Sequence, residues 1–452
     1  MDRGKLGRIS PGGRGFSPLD RQILSLSLPA LGALVAEPLF ILVDSAVVGH
    51  LGTEPLAGLA LASTILLTVV GLCVFLAYAT TASVARRLGA GDRAAALQVG
   101  VDGMWLAVGI GLALGAALWL AAPLVVDWLG AAGAVADHAV TYLRWSAPGV
   151  PGMLLVFAAT GALRGVQDTR TPLGVAASGA VVNGALNVAL VYGAGMGIAG
   201  SGLGTALVQL GMGAVLAAVV VRAARAAGAS LKPAPAGLWA STRHGLPLLA
   251  RTATLRAAIL LTAWVATGLG PITLAGHQLT MAVWGLVAFA LDALAIAAQA
   301  LVGHALGAGD LPTTRRVLRR TLQWGVGAGA VSGLLTGGLA FAYIRLLTPD
   351  DDVRHAAVLA LVVAAVCMPV AGWVFVLDGV LIGAGDGVFL AWAGLATLVV
   401  YLPCAIAVRA WAPDGAVGLA WLTAAFCGVF MLARAATTGW RAAGTTWMVT
   451  GA

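Results

Sequence analysis

Charge is what this sequence has least of. Only 10% of its 452 residues are Asp, Glu, Lys or Arg, while 60% are hydrophobic. A soluble domain carries about 25% charged residues, so no ordinary water-facing surface can be assembled from this chain. Cysteine is scarce too. Cys73, Cys367, Cys404 and Cys427 lie inside apolar runs with no CxxC spacing, and they read as core thiols, not as a disulfide framework or a metal centre. The six histidines never pair at ligand spacing, and no Ser-His-Asp set or phosphate-binding glycine loop is found. An enzyme is therefore not expected, nor a metal or organic cofactor.

What the chain has instead is a succession of apolar runs, each twenty residues or more, long enough to cross a bilayer as helices. They do not alternate in polarity, which excludes a β-barrel. The abundance of glycine, 62 residues, suits close packing of membrane helices. The runs predict an all-α membrane protein with spans near 22–47, 56–80, 97–122, 138–162, 172–192 and 197–221. A second set is expected near 246–267, 276–302, 317–343, 356–381, 388–409 and 415–437. The organisation that follows is a tail over 1–21, an N-lobe over 22–221, a polar linker over 222–245, a C-lobe over 246–437 and a second tail over 438–452. The net charge of +8 does not point to nucleic acid, because the basic residues fall between apolar runs. With the N-terminus placed inside, twenty of the 26 Lys and Arg fall in inner segments and four on the outer side. That bias predicts a multi-pass plasma-membrane protein with both termini cytoplasmic. The first twenty residues are basic and Gly/Pro-rich with no apolar core before a small-residue cleavage site, so a cytoplasmic tail is expected and no cleaved signal peptide.

The two sets of six spans are copies. One ungapped offset of 218 residues carries Leu88-Gly89-Ala90-Gly91-Asp92 onto Leu306-Gly307-Ala308-Gly309-Asp310, and Leu163, Gly165 and Asp168 onto Leu381, Gly383 and Asp386. The same offset carries Pro29 onto Pro247 and Leu56-Ala57-Gly58 onto Leu274-Ala275-Gly276. Six spans is an even number, so both halves enter from one face and are related by a pseudo-two-fold axis along the membrane normal. Twin lobes around a cleft are the usual architecture of alternating access.

Charged side chains at membrane depth are costly and mark function by default. In the C-lobe, Arg256 and Asp292 share one level, and Arg251 and Asp378 another, at 1.5 Å of rise per residue. They are expected to form two structural ion pairs, Arg256–Asp292 and Arg251–Asp378. Asp102 is close enough to a span end to reach the interface. Asp44 has no basic residue near it in its own span. Glu37 lies two turns earlier on the same face, and Pro38 between them removes a backbone hydrogen bond. The offset sends Asp44 to Thr262 and Glu37 to Leu255, so the acids exist in one lobe alone. Asn183 and Asn187, at i and i+4 on the fifth span, have Tyr401 and Ala405 as counterparts. Arg144 is the one basic residue at the right depth to neutralise Asp44. Without it, a carboxylate among apolar helices is suited to carrying a proton reversibly.

These residues resemble the multidrug and toxic compound extrusion (MATE) family, in its DinF-like branch. The similarity rests on Glu37-Pro38-Leu39, on Leu42-Val43-Asp44-Ser45 through Gly49-His50-Leu51-Gly52, and on Leu163-Arg164-Gly165-Val166-Gln167-Asp168-Thr169-Arg170-Thr171-Pro172. Leu291-Asp292-Ala293-Leu294 and Leu377-Asp378-Gly379-Val380 add to it in the second half. The resemblance implies cation-coupled antiport, with H+ or Na+ entering as amphipathic, often cationic small molecules leave. It places the coupling and substrate pocket at Asp44 with Glu37, Tyr142, Thr160, Asn183, Asn187 and Thr205. Asn187 stands where many relatives carry a second acid, so Asp44, alone or with Glu37, is left to carry the ion, and a proton is favoured over sodium. The expected partners are the substrate and the lipid bilayer, with the chain working as a monomer. A major-facilitator carrier is the alternative of like size, but its hallmark loop is only faintly matched by Arg86-Arg87-Leu88-Gly89. A lipid-linked precursor flippase would need a strongly cationic cavity.

Overall fold

The computed structural model describes residues 17–451; most of the expected N-terminal tail lies outside them. Among the described residues, twelve helices long and apolar enough to cross a membrane follow one another. In the first half they are α1 (Pro18–Gly49), α2 (Thr53–Gly89), α3 (Arg93–Trp128), α4 (Gly133–Gly165), α5 (Arg170–Gly193) and α6 (Ile198–Ala226). In the second half they are α7 (Pro235–Leu269), α8 (Pro271–Gly307), α9 (Leu311–Leu347), α10 (Asp351–Gly383), α11 (Gly387–Trp411) and α12 (Ala416–Ala443). Helices α1–α6 form the N-lobe and α7–α12 the C-lobe.

Several helices are longer than a bilayer requires. At 1.5 Å per residue, α8 and α9 with 37 residues each exceed the roughly 30 Å hydrocarbon core. Much of the expected linker over 222–245 is accordingly helical, and only 227–234 separates α6 from α7. Asp102 meets the backbone where α7 begins. It is buried on α3, accepts the Ala234 amide at 3.0 Å and the Gln98 side chain at 3.1 Å, and so caps the helix entering the second lobe. Irregular backbone marks four other spans. Helix α2 breaks between Leu72 and Phe75, α4 passes through a 3-10 turn at Ala147–Gly149, and α5 and α12 contain π-helical turns at Ala189–Gly193 and Ala424–Phe430.

An even number of crossings puts Pro18 and Ala443 on one face, the face where arginine is concentrated. The repeated motifs build that face. After α2, α4, α8 and α10 the chain makes the same turn, with the amides of Asp92, Asp168, Asp310 and Asp386 bonded to the carbonyls five residues back. The residue before each Asp is left-handed: Gly91 (φ +87), Gln167 (φ +66), Gly309 (φ +72) and Gly385 (φ +79). Asp92 and Asp310 then cap α3 and α9, accepting the amides of Ala95 at 2.8 Å and Thr313 at 2.9 Å.

The other glycine of this motif seals the lobes together. A Cβ on Gly89 would land on the His304 carbonyl, and one on Gly307 would land on the Arg86 carbonyl. These are one contact made twice, since the offset of 218 carries Arg86 onto His304 and Gly89 onto Gly307. Around it, the C-lobe Gln299 donates to the Tyr78 carbonyl of the N-lobe at 2.7 Å. Asp20 at the start of α1 takes Arg320 of α9 at 2.5 and 2.8 Å and the Trp324 indole at 2.8 Å. Among the described residues, every side-chain hydrogen bond joining helices of the two lobes lies on the arginine-rich half, so the cleft between the lobes opens toward the other face. Gly307→Val is expected to cost about 1–3 kcal/mol by overpacking this seam. In a cysteine-free background it should raise the reactivity of a cysteine placed at Ala85, which is buried here, toward a charged maleimide. Gly327→Val, on a helix face with open space beside it, should leave both readouts unchanged.

Candidate functional site

The acid singled out on α1 is buried at the centre of the N-lobe, 6% exposed. Four neutral donors from three helices converge on it. Asn183 of α5 donates to Asp44 Oδ1 at 2.7 Å, and Asn187, one turn further along, donates to the same oxygen. On the other oxygen, Oδ2, Thr205 of α6 donates at 3.2 Å and the Tyr142 hydroxyl of α4 at 3.4 Å. Tyr142 and Thr205 are themselves 3.4 Å apart. Two asparagines four residues apart meet one carboxylate oxygen because i and i+4 lie above one another on a helix face.

Among the described residues no basic side chain shares the site. Arg144, the candidate counter-ion, is exposed and lies over the Trp119 ring at 5.4 Å. The carboxylate is thus held by dipoles alone. Thr160 is buried on α4, but none of the hydrogen bonds to Asp44 comes from it. Glu37 also stands apart from the network: it lies deep in the protein, open to the cleft, where it feels the charge of Arg256. Ser201, one turn before Thr205, was not anticipated; its hydroxyl is buried beside the site without a hydrogen-bond partner, as are the amide oxygens of Asn183 and Asn187.

The C-lobe keeps the junction and drops the chemistry. At the positions of Asp44 and Asn183 it has Thr262 and Tyr401, joined at 2.7 Å. The Tyr401 ring packs against Phe430 and Phe426, with centroids 5.4 and 6.1 Å away. An aromatic plug therefore fills the space that holds the carboxylate cage in the other lobe.

Of the two expected C-lobe pairs, one forms. Arg251 meets Asp378 at 2.5 Å. Arg434 of α12, counted from sequence among the inner-side basic residues, is buried at 7% exposure and binds the same carboxylate. The Arg256–Asp292 pair does not form. Five residues on from Arg251, Arg256 is turned by about 140° at 100° per residue and reaches Gly71 of α2 across the seam. Asp292 faces the N-lobe, with Tyr78 in hydrogen-bonding position and the positive charges of Arg164 and Arg251 around it. Tyr78, Arg251, Asp292, Asp378 and Arg434 line a cavity of about 230 Å³ at the base of the cleft.

Two lobes of six helices around a cleft, one lobe enclosing a carboxylate held by four neutral side chains, define a membrane transporter. The chain matches the MatE family profile over residues 29–189 and 247–406, one segment in each lobe. It belongs to that family, the multidrug and toxic compound extrusion transporters. It is 31% identical over 397 residues to Protein DETOXIFICATION 44, chloroplastic, of Arabidopsis thaliana, covering 84% of this chain and 75% of that one. It is 29% identical over 405 residues to DNA damage-inducible protein F of Escherichia coli, covering 85% and 86%. In three dimensions it resembles the Vibrio cholerae MATE transporter VcmN in the bent form, with a TM-score of 0.83 at 23% identity over 94% of this chain and 96% of that one.

Proposed function

We propose that this transporter exports amphipathic, cationic small molecules across the plasma membrane in exchange for protons, with both termini cytoplasmic and one chain as the working unit. The arginine-rich face is then the cytoplasmic one, and the cleft described above opens outward. One observation carries the reading: a buried carboxylate with four neutral donors and, among the described residues, no basic partner.

The two oxygens of Asp44 are served differently, and that difference assigns the proton. An amide NH2 only donates, so Oδ1, facing Asn183 and Asn187, has no use for a hydrogen. A hydroxyl both donates and accepts. Thr205 and Tyr142 can therefore turn round and accept from a protonated Oδ2. The cage holds Asp44 in both states, with the proton on the Thr205 side. Sodium would demand several oxygen ligands at once, and here the nearest side-chain groups point N–H at the acid. Protonation removes the charge that attracts a cationic substrate, so proton and substrate exclude each other. Pro38, which interrupts the hydrogen bonding of α1 one and a half turns below, provides a hinge for two arrangements of that helix. Glu37, open to the cleft, supplies negative charge on the substrate's route.

Everted vesicles loaded with a fluorescent organic cation test this reading when pH and sodium are varied independently. Uptake should follow an imposed pH gradient without sodium and collapse on adding a protonophore. Uptake that requires sodium at constant pH would sink the proton reading.

A further inference from the structure

Arg86, near the end of α2, reaches across the seam, yet among the described residues no carboxylate answers it. Its guanidinium is satisfied by three backbone carbonyls from the far side: Ala384 after α10 at 2.6 Å, Val449 at 2.8 Å and Gly451 at 2.8 and 3.2 Å. The last two belong to the segment that follows α12, within the tail expected from sequence over 438–452. That segment is docked. Arg441 pairs with Asp386 at 2.6 Å and donates to Thr446 at 2.7 Å. Trp447 is 1% exposed and its indole donates to the Gly444 carbonyl at 3.0 Å. The Gly451 amide donates to the Leu306 carbonyl at 3.1 Å, beside the Gly89/Gly307 seal. The segment is thus fastened to the C-lobe at several points and to the N-lobe through one arginine.

We propose that residues 444–451 are a latch that holds the lobes closed on the arginine-rich face, with Arg86 as its catch. Arg86 finds its acceptors only while the lobes are together, because all three carbonyls travel with the C-lobe. Separation on this face strips a guanidinium of its partners, so the latch weights the equilibrium between the two orientations of the cleft toward closure here. The repeat supports a dedicated role. The counterpart of Arg86 is His304, whose Nδ1 is buried without a partner and does not answer across the seam. The device is therefore single in an otherwise duplicated seal. Each transport cycle must release it, which makes the latch a determinant of turnover distinct from ion binding at Asp44.

The test is a distance measurement. Spin labels at Arg93→Cys and Arg315→Cys, both exposed on this face, are placed in an otherwise cysteine-free protein in nanodiscs, and pulsed electron resonance reads the lobe separation. The unaltered chain should give mainly the short distance. Arg86→Gln should raise the longer population about tenfold, the factor that one charged hydrogen bond is worth. A chain ending at Ala443 should do the same. Arg86→Lys, which keeps the charge but lacks the planar fork, should fall between. Val449→Ala changes a side chain while leaving its carbonyl, and should match the parent. Unchanged distances in a monodisperse Arg86→Gln protein would overturn the proposal, whatever the truncated chain does. The measurement reads geometry alone, so its result stands or falls apart from the proton reading.

Discussion

Replacing Asp44 by Asn is expected to abolish transport while leaving the protein folded and in the membrane. The substitution keeps size and one acceptor oxygen, and the cage shows why it is tolerated. The remaining oxygen of the introduced amide can face the two asparagine side chains, while its NH2 faces Thr205 and Tyr142, whose hydroxyls can turn to accept. Losing a charged acceptor costs about 1.5–3 kcal/mol in its hydrogen bonds. That loss is offset because a desolvated charge is no longer buried. The melting temperature should therefore change by only a few degrees. On the proposed proton exchange, what disappears is the ability to take up and release a proton, and with it every coupled step. Efflux in everted vesicles and drug resistance in cells should both fall to the level of a strain lacking the protein. Resistance equal to the parent would remove the central role given to Asp44.

Asp378→Asn is expected to act on stability instead. Asp378 is the shared counter-ion of Arg251 and Arg434, and it ties α7, α10 and α12 into one lobe. Removing its charge strands two guanidinium groups in a low-dielectric interior, at a cost of about 3–5 kcal/mol. Yield and thermal stability in detergent should drop together. Adding Arg434→Met should recover part of the loss, because one buried charge goes without a partner instead of two. Asp292→Asn should be far milder in a melting experiment, since Asp292 has no ion pair within contact distance among the described residues and faces the other lobe. A stable Asp378→Asn protein that has lost transport would move this cluster from structure to function.

Depth was readable from the sequence and direction was not. Hydropathy gives each span and its level, so the twelve helices, the duplication and the acid at the heart of the N-lobe could be placed. Asn183 and Asn187 were legible because i and i+4 fix a shared face without reference to other helices. Arg251 and Arg256 show where such reasoning stops. Both sit near suitable acids by level, but five residues turn them to different sides, and only tertiary packing says which side meets Asp378. Arg434 was missed because it was counted with the inner-side basic residues at the end of the span expected over 415–437, and only tertiary packing shows that it turns inward onto Asp378. The contact of Arg86 with the last described residues joins distant ends of the chain through backbone carbonyls, which leave no trace in side-chain pattern.

The aromatic plug in the C-lobe has a consequence for charge movement. Where Asp44 and Asn183 stand in one half, Thr262 and Tyr401 stand in the other, and neither of those titrates near neutral pH. In the proposed cycle this junction therefore adds no second proton to the one carried at Asp44. Exchange of that proton for a monovalent organic cation moves no net charge across the bilayer. Such an exchange is electroneutral: the voltage across the membrane does no work on it, and the concentration ratio it can sustain is bounded by the pH difference alone.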